Sequence, residues 1–402
     1  MRSRWTILAI LFITRATMAF QFQSVASVSS QYSQSFGASL SDIGVLIGVY
    51  FAPGAALALP GGAIGRRLGD KPTVLAGLAM MLAGELLMAI STAWSAQIAG
   101  RLLAGIGGVL INVLMTQMLT DWFTGREIAT AMAIFVNSWP VGIALSLMLL
   151  PAVATTLGLI AVDLTIAALV VVSLGLIAFA YRPPEAGPVA MIGDRGRLSL
   201  AAIRAASAAG LIWCFYNVGF AMIFSFGPSM LVARGWTAAA AGSAISLVMW
   251  FAALSVPLGG LLADRSQRSG AVLVGGCVAF ALLALALSRA GPVLPIVIAL
   301  GLVSGLPAGP IMSLPARVLE HKTRPIGMGI FYTLYYVGML VAPAIGGRLS
   351  TMVGAASAAI DLGALALLLC PVILWLFRMI AAGPGHRPGS SADVFTGQGR
   401  TN

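Results

Sequence analysis

The sequence predicts an all-α membrane protein in which twelve transmembrane helices form two pseudo-symmetric six-helix bundles. Of the 402 residues, 59% are hydrophobic and 9% are charged, and the mean hydropathy is +0.98. Because a soluble domain carries about 25% charged residues, only a membrane accommodates so apolar a chain. Apolar runs long enough to cross a bilayer fall at 4–28, 40–64, 72–92, 95–120, 128–150, 157–181, 205–231, 238–262, 270–290, 293–318, 325–349 and 356–380.

Two related halves are recognisable in the sequence. Gly62 aligns with Gly260, 198 positions later, and the same offset carries Asp163 onto Asp361. Duplicated apolar halves are typical of transport proteins built from internal repeats. A second pair of matching runs stands at a slightly shorter offset, at 132–135 and 328–331.

A polar break divides the chain into its predicted domains. The break is rich in proline, glycine and charge, as expected of a linker between bundles. The start resembles a signal peptide, but the segment stays apolar past Arg15 without a small-residue cleavage site, so we expect a retained first helix. The predicted boundaries are 1–181 for the N-terminal bundle, 182–204 for a cytoplasmic linker, 205–380 for the C-terminal bundle and 381–402 for a cytoplasmic tail.

The basic residues indicate which face of the membrane each loop occupies. If both termini are cytoplasmic, every lysine and arginine lies in a cytoplasmic segment except Arg15, Arg101, Arg234, Arg289 and Arg348. This distribution satisfies the positive-inside rule. We therefore expect a protein integral to the plasma membrane, here a bacterial inner membrane, with both termini in the cytoplasm.

The composition argues against several functional classes. The net charge of +11 is spread over short loops and not over a patch with interleaved aromatic residues, so nucleic acid is not an expected partner. The three cysteines lie in apolar runs without paired spacing, and the two histidines lie in a loop and the tail, so neither a metal centre nor a cofactor is expected. An enzyme would need converging acids or histidines within the membrane, and membrane lipid and a small solute remain the expected partners.

A loop motif after the second helix of each half resembles the major facilitator superfamily. The family pattern is Gly-x-x-x-Asp-Arg-x-Gly-Arg-Arg, and the second copy retains Gly260, Asp264 and Arg265 but has Gln267 where glycine is usual. The run Arg101–Gly108 on helix 4 is similar to a second family pattern, Arg-x-x-x-Gly-x-Gly. The resemblance implies two bundles that rock about a central cavity, and we expect a monomer.

The first copy of the motif departs from the family pattern at its acid. It retains Gly62, Arg67, Gly69 and Lys71, but Arg66 occupies the acidic position. In the family that acid is thought to latch the loop against a neighbouring helix end, so the resemblance implies an altered latch in this half. A narrower likeness joins the chain to the cyanate and nitroimidazole permease branch, through 20–26, 56–62 and 137–142.

Arg15 is the first candidate for solute binding. It lies near the middle of helix 1, where an arginine costs about 2.5–3.5 kcal/mol on insertion scales, so it should face a wet cavity or a partner. Its planar guanidinium suits a carboxylate or a small inorganic anion. The alternative is a structural arginine bonded to helix carbonyls or to a neighbouring glutamine.

Glu85 and Arg101 form a second charged pair in the predicted membrane interior. Each lies about eight residues from the bend between helices 3 and 4, which gives both a depth of about 12 Å at a rise of 1.5 Å per residue. We expect a buried ion pair that braces this hairpin. A proton-coupling role for Glu85 is the alternative.

The remaining candidates for solute contact are polar or aromatic side chains. The resemblance implies that helices 1, 4, 7 and 10 line the cavity, although such side chains also serve packing and inter-helix bonds. The candidates are Gln21, Gln23, Asn112, Asn137, Trp139, Trp213, Tyr216, Asn217, Tyr335 and Tyr336.

The expected function is secondary active transport of a small anionic solute by alternating access. No nucleotide-binding loop is present, so the expected drive is proton symport or exchange. Efflux of small apolar or drug-like compounds is the alternative. An efflux pump would favour a deep acid in helix 1 or helix 7, where the sequence has none.

Overall fold

The predicted all-helical architecture is confirmed by a computed structural model, which describes residues 4–57, 68–123, 127–183, 198–266, 268–289, 291–319 and 323–381. Within these ranges, twelve helices have the length and apolar composition needed to cross a membrane. Helices 1 to 12 are, in order, Arg4–Ser27, Leu40–Leu57, Asp70–Ile90, Trp94–Phe123, Thr130–Leu157, Leu159–Ala180, Leu200–Ala233, Ala238–Ser266, Ser269–Ser288, Val293–Ser313, Ile326–Val353 and Ser357–Ala381.

The helix starts show where local chemistry moved a predicted boundary. Helix 7 begins at Leu200, earlier than the predicted residue 205, because the Ser199 hydroxyl caps it by accepting the Ala202 N–H at 3.1 Å. Helix 2 begins with a capping box, in which Asp42 N–H donates to Ser39 Oγ and Asp42 Oδ2 accepts the Ser39 N–H at 2.9 Å. A short helix, Ser29–Phe36, lies before it where the sequence predicted only a connection.

Several spans are interrupted. Helix 10 divides into Val293–Ser304 and Ala308–Ser313, with Pro307 at the break. Proline cannot donate a backbone hydrogen bond, which explains the interruption. Helix 6 ends in a π-helical turn, Leu176–Ala180.

The two bundles meet mainly at one end of the molecule. We define the terminal face as the end where helix 1 begins and helix 12 ends, and the far face as the other end. Helix 2 packs against helix 11, and helix 5 packs against helix 8, through the halves of these helices nearest the far face. Hydrogen bonds also cross between the bundles there, from Gln23 Nε2 to the Phe224 carbonyl at 2.8 Å and between the Ser29 and Ser229 hydroxyls at 2.8 Å.

Glycines bring these helices into backbone contact. A Cβ atom at Gly44 of helix 2 would collide with the Pro343 carbonyl of helix 11. A Cβ atom at Gly242 of helix 8 would collide with the Leu147 carbonyl of helix 5. Gly242 lies 198 positions after Gly44, so the two far-face seams are equivalent contacts of the duplicated halves.

Candidate solute-binding site

Arg15 lies in the interior, where helices 1, 4 and 5 converge. Its Nε donates to Asn112 Oδ1 at 3.2 Å, and its Nη1 donates to the carbonyls of Phe135 and Val136 at 3.1 Å each and to Ser138 Oγ at 3.3 Å. All four acceptors are neutral. Within the described part of the chain no carboxylate forms an ion pair with Arg15, and its Nη2 makes no hydrogen bond.

Aromatic rings surround this guanidinium. Its central carbon lies 4.9 Å from the Phe135 ring centroid and 5.8 Å from that of Trp139. Such placements attract a cation to the ring face. Trp139 in turn stacks on Phe22, with ring centroids 5.5 Å apart. The cation is therefore enclosed by carbonyl oxygens on one side and by ring faces on another.

Helix 11 brings the C-terminal bundle to the same place. Asn112 Nδ2 donates to the Tyr336 hydroxyl at 3.2 Å, so one asparagine bridges Arg15 and the opposite bundle. Tyr335 lies beside Tyr336, with ring centroids 5.1 Å apart, and Trp213 of helix 7 lies 6.3 Å from Tyr335. We call Arg15, Asn112, Trp139, Tyr335 and Tyr336 the Arg15 group.

Other residues predicted for solute contact lie elsewhere. Gln21 and Gln23 are 0% and 1% exposed, and Gln23 joins the bundles by its bond to helix 7. Tyr216 donates to the Ser304 carbonyl at 2.8 Å, at the break in helix 10. Asn217 donates to the Trp213 carbonyl of its own helix at 2.8 Å. These contacts give the donor groups protein partners, whereas the side-chain oxygens of Gln21 and Gln23 are buried and have no hydrogen-bond partner among the described residues. Contact of these residues with a solute stays a prediction.

Asn137 lies beside the Arg15 group without a described side-chain bond. It is half-buried at the junction between Ile128–Val136 and Ser138–Leu157. Its backbone N–H donates to the Ala133 carbonyl. Its role in binding a solute stays a prediction.

Glu85 and Arg101 do not form the direct ion pair that the sequence predicted. Both are fully buried, but Gln21 lies between them: its side-chain Nε2 donates to Glu85 Oε2 at 2.6 Å, and its main-chain carbonyl accepts Arg101 Nη1 at 2.9 Å. Arg101 also donates to the Phe22 carbonyl at 2.7 Å and lies over the Tyr50 ring at 4.8 Å. Depth along a helix does not fix the direction in which a side chain points.

Asp163 is the residue that sequence reasoning undervalued. The sequence marks it only as the repeat partner of Asp361, yet its side chain is 6% exposed and its carboxyl group is a neighbour of that of Glu85. Helices 3 and 6 pack along their length to bring the two together. The available signal was depth, because Asp163 lies four residues after the start of helix 6 and Glu85 five residues before the end of helix 3.

The loop motifs are only partly described. Gly62, Arg66 and Arg67 lie outside the described residues. Gly69 has a positive φ of 85° at the start of helix 3, a conformation that favours glycine. Lys71 donates from Nζ to the carbonyls of Ala178 and Tyr181 at 2.8 and 2.9 Å, which caps the end of helix 6.

The second copy of the motif lies at the terminal-face end of helix 8. Gly309 of helix 10 approaches this motif closely, since a Cβ atom at Gly309 would lie 3.2 Å from the Gly260 Cα, whereas a Cβ atom at Gly260 would meet nothing within 4 Å. Asp264 and Arg265 are exposed in the last turn of helix 8. A basic residue in that position complements the helix dipole.

Comparisons with known proteins agree with this architecture. The family model of the Major Facilitator Superfamily matches residues 11–239 and 213–398. The chain has the fold of a crystal structure of the POT family transporter PepTSo, with a TM-score of 0.71, 11% identity, and coverage of 94% of this chain and 98% of that one.

Two curated relatives match over shorter segments. The inner membrane transport protein YajR of Escherichia coli is 33% identical over 140 residues, which cover 35% of this chain and 30% of YajR. Azole resistance protein 1 of Saccharomyces cerevisiae is 35% identical over 96 residues, which cover 24% of this chain and 16% of that protein. The match thus spans less than a third of either relative. With the family match over most of its length, the chain belongs to the Major Facilitator Superfamily of membrane transporters.

Proposed function

We propose that this protein is a secondary active carrier for a small anionic solute, working by alternating access in a bacterial inner membrane. The observation that supports this most is the interior guanidinium of Arg15, which is bonded only to neutral acceptors among the described residues. A fixed positive charge without a protein carboxylate attracts an anion in a water-accessible cavity. Its planar fork offers two parallel donors to a carboxylate or a nitrate-like group.

The hydrogen bonds of Arg15 are suited to a guanidinium that binds both the protein and an anionic solute. The bonds from Arg15 to Asn112, Phe135, Val136 and Ser138 are 3.1–3.3 Å long, longer than the 2.7–2.9 Å typical of charge-assisted pairs. An anion that takes over part of this coordination replaces neutral acceptors with a charged one. The rings of Trp139, Tyr335 and Tyr336 would then supply shape and hydroxyl groups.

The membrane potential restricts how such an anion is moved. Import of one negative charge into a cell with a negative interior is opposed by about 2.3 kcal/mol per 100 mV. Proton symport or exchange for another anion removes this barrier. We therefore propose proton-coupled or exchange-coupled transport.

The far-face seams support a closed outer gate in this conformation. If both termini are cytoplasmic, the far face is the outer face, and the contacts of helix 2 with helix 11 and of helix 5 with helix 8 close it. Transport would require these seams to part while the terminal-face ends approach one another. Rocking of this kind would present the Arg15 group to each side in turn.

Counterflow in proteoliposomes tests the anionic cargo. Labelled nitrate, lactate, succinate and a nitroimidazole are offered to the parent and to Arg15→Ala, Arg15→Lys and the surface control Arg289→Ala. We expect at least one anion to exchange, with a loss of at least about tenfold in Arg15→Ala, equal to one charge-assisted bond of about 1.5–3 kcal/mol. Arg15→Lys should be intermediate and Arg289→Ala unchanged. Exchange of neutral or cationic compounds that ignores Arg15 would contradict the proposal.

Efflux of small apolar or drug-like compounds is the second candidate. Two observations favour it: the similarity to a protein named for azole resistance, and the rings of Phe22, Phe51, Trp139, Tyr335 and Tyr336 in contact near the middle of the fold. Saturable exchange of a neutral azole that survives Arg15→Ala would favour this function over the first.

A further inference from the structure

A second polar cluster lies in the N-terminal bundle, apart from the Arg15 group. At its centre are Glu85 of helix 3 and Asp163 of helix 6, which we call the carboxyl pair. Glu85 is 0% exposed and Asp163 is 6% exposed, and their carboxyl groups are neighbours across the packed helices 3 and 6. Both lie within about 8 Å of the far-face ends of their helices, at a rise of 1.5 Å per residue.

The hydrogen bonds of Glu85 leave one carboxyl oxygen for which a proton shared with Asp163 would provide the partner. Glu85 Oε2 accepts Gln21 Nε2 at 2.6 Å, whereas Glu85 Oε1 is buried and has no N–H or O–H donor among the described residues. The group in contact with this carboxyl is that of Asp163, which donates a hydrogen bond only if one of the two is protonated. Two ionised carboxylates in contact repel each other strongly, so one proton shared between them is the stable state.

The charged groups around the carboxyl pair also favour a single bound proton. Arg101 of helix 4 is the cation of this cluster, and it reaches Glu85 through Gln21 of helix 1. The other titratable neighbours are the phenols Tyr32, which donates to Gln97 at 3.2 Å, and Tyr50, whose ring lies under Arg101. With one proton bound the pair carries a single negative charge, which Arg101 neutralises. Loss of that proton leaves an uncompensated negative charge inside the membrane, which is unfavourable.

We propose that the Glu85–Asp163 carboxyl pair is the proton-binding site through which this carrier couples to a proton gradient, distinct from the place where its cargo binds. The inference rests on the proposed function, because a coupling proton has meaning only in a secondary carrier. The proton is held while the cluster is enclosed. It is released as H⁺ to water when rocking of the bundles opens a path to the pair, and no other bond changes.

Helix 1 connects this proton site to the Arg15 group. Arg101 Nη1 and Nη2 bond the carbonyls of Gln21 and Phe22, so a change in the charge of the carboxyl pair alters the force on this segment of helix 1. Arg15 lies six residues earlier on the same helix, about 9 Å away along its axis. The Phe22 ring also stacks on Trp139, which lies beside Arg15.

The proposal is tested by measuring two activities of each protein in proteoliposomes: counterflow of an anion at equal pH, and its accumulation driven by a pH gradient. Four proteins are reconstituted with nitrate, lactate and succinate as probes: the parent, Glu85→Gln, Asp163→Asn and Asp361→Asn. The last is the matched control, because it changes the duplicated aspartate of the other half. An inside-alkaline gradient of one pH unit supports about tenfold accumulation of an anion moved with one proton. We expect this accumulation in the parent and in Asp361→Asn, and about none in Glu85→Gln and Asp163→Asn. Counterflow at equal pH should remain within about twofold of the parent in all four proteins, because the cargo site is untouched.

Infrared spectroscopy of the purified proteins tests the bound proton without any cargo. The parent and Asp361→Asn should show, at neutral pH, the C=O stretch of a protonated carboxyl group, shifted in D2O. This band should be missing from Glu85→Gln and Asp163→Asn, because Arg101 then faces a single carboxylate and the cluster is neutral without a proton.

Three results would overturn the proposal. The first is an absence of the protonated carboxyl band from the parent, or its persistence in both variants. The second is full gradient-driven accumulation by both variants. The third is loss of counterflow together with accumulation in variants that stay monodisperse, since the pair would then serve translocation or folding. Failure of every anion to exchange, with the carboxyl band present as expected, would instead contradict the proposed cargo and leave the proton site supported by the spectra.

Discussion

The duplicated aspartates Asp163 and Asp361 occupy equivalent positions in the two halves but have different surroundings. Asp163 is buried against another carboxyl group. The Asp361 side chain is 32% exposed and pairs with Arg289 at 2.8 Å, while its other oxygen accepts the Ser288 hydroxyl at 2.6 Å. The duplication preserved the residue, and the neighbouring helices determine what each copy does.

The rest of the polar cluster has no counterpart in the C-terminal half. At the offset of 198 positions that relates Asp163 to Asp361, the three residues that align with the rest of the cluster carry neither charge nor amide. Specifically, Gln21, Glu85 and Arg101 align with Gly219, Leu283 and Ala299. One bundle therefore contains a buried network of charges, whereas the other has uncharged residues at the aligned positions and an ion pair near its far face.

Removal of the cation from each half should give the largest contrast. Arg101→Ala leaves buried carbonyls and an unbalanced carboxyl pair, so we expect a loss of about 3–5 kcal/mol in the free energy of unfolding. Arg289 is 65% exposed, and Arg289→Ala should cost at most about 1 kcal/mol. Thermal unfolding of the purified proteins in detergent measures both. Similar small losses would show that the two halves are not as different as the structure indicates.

The two halves form equivalent glycine contacts at the far-face seams, so equivalent substitutions there should destabilise the closed far face by similar amounts. Gly44→Val and Gly242→Val each force a side chain into a facing carbonyl, at an expected cost of about 1–3 kcal/mol to the closed far face. Cross-linking of cysteines introduced at Ser41 and Thr351, across the seam of helices 2 and 11, reports its opening.

The same substitution at Gly275 provides the control for these seams. A Cβ atom at Gly275 meets nothing within 4 Å, so Gly275→Val should leave cross-linking as in the parent. An effect confined to one seam would mean that the gate is asymmetric despite the repeat.

The pH dependence of stability should also differ between the aspartates. A proton held by the carboxyl pair, and released by the unfolded chain at neutral pH, makes stability fall as pH rises. The slope is about 1.4 kcal/mol per pH unit for one proton. Unfolding measured between about pH 6 and pH 8 should show this slope in the parent and in Asp361→Asn, and a flatter profile in Asp163→Asn. An unchanged slope in Asp163→Asn would assign the proton to another group.

The smallest expected effect concerns the link between the bundles at the Arg15 group. Tyr336→Phe removes the hydroxyl that accepts Asn112 Nδ2 at 3.2 Å, at an expected cost of about 0.5–1.5 kcal/mol in stability. Tyr332 makes no described hydrogen bond through its hydroxyl, so Tyr332→Phe is the matched control. Equal losses in the two variants would argue against a specific role for the Asn112 contact.

Hydropathy and charge predicted the twelve spans because these properties depend on the local run of residues alone. The interior position of Arg15 followed from its depth in helix 1. The contact of Glu85 with Asp163 did not follow, because a single sequence gives the depth of a side chain but neither its direction nor the neighbouring helix. For the same reason, the sequence did not predict that Gln21 lies between Glu85 and Arg101.

The break in helix 10 gives the C-terminal bundle a point at which this helix can bend. Tyr216 holds the freed carbonyl of Ser304 and so fastens the end of Val293–Ser304 to helix 7, while Ala308–Ser313 packs beyond the break against helices 7, 8 and 9. Two probes, one on each piece, should therefore change their distance from each other during the transport cycle. The C-terminal bundle would then bend at the break in helix 10, where Tyr216 bonds the main-chain carbonyl of Ser304.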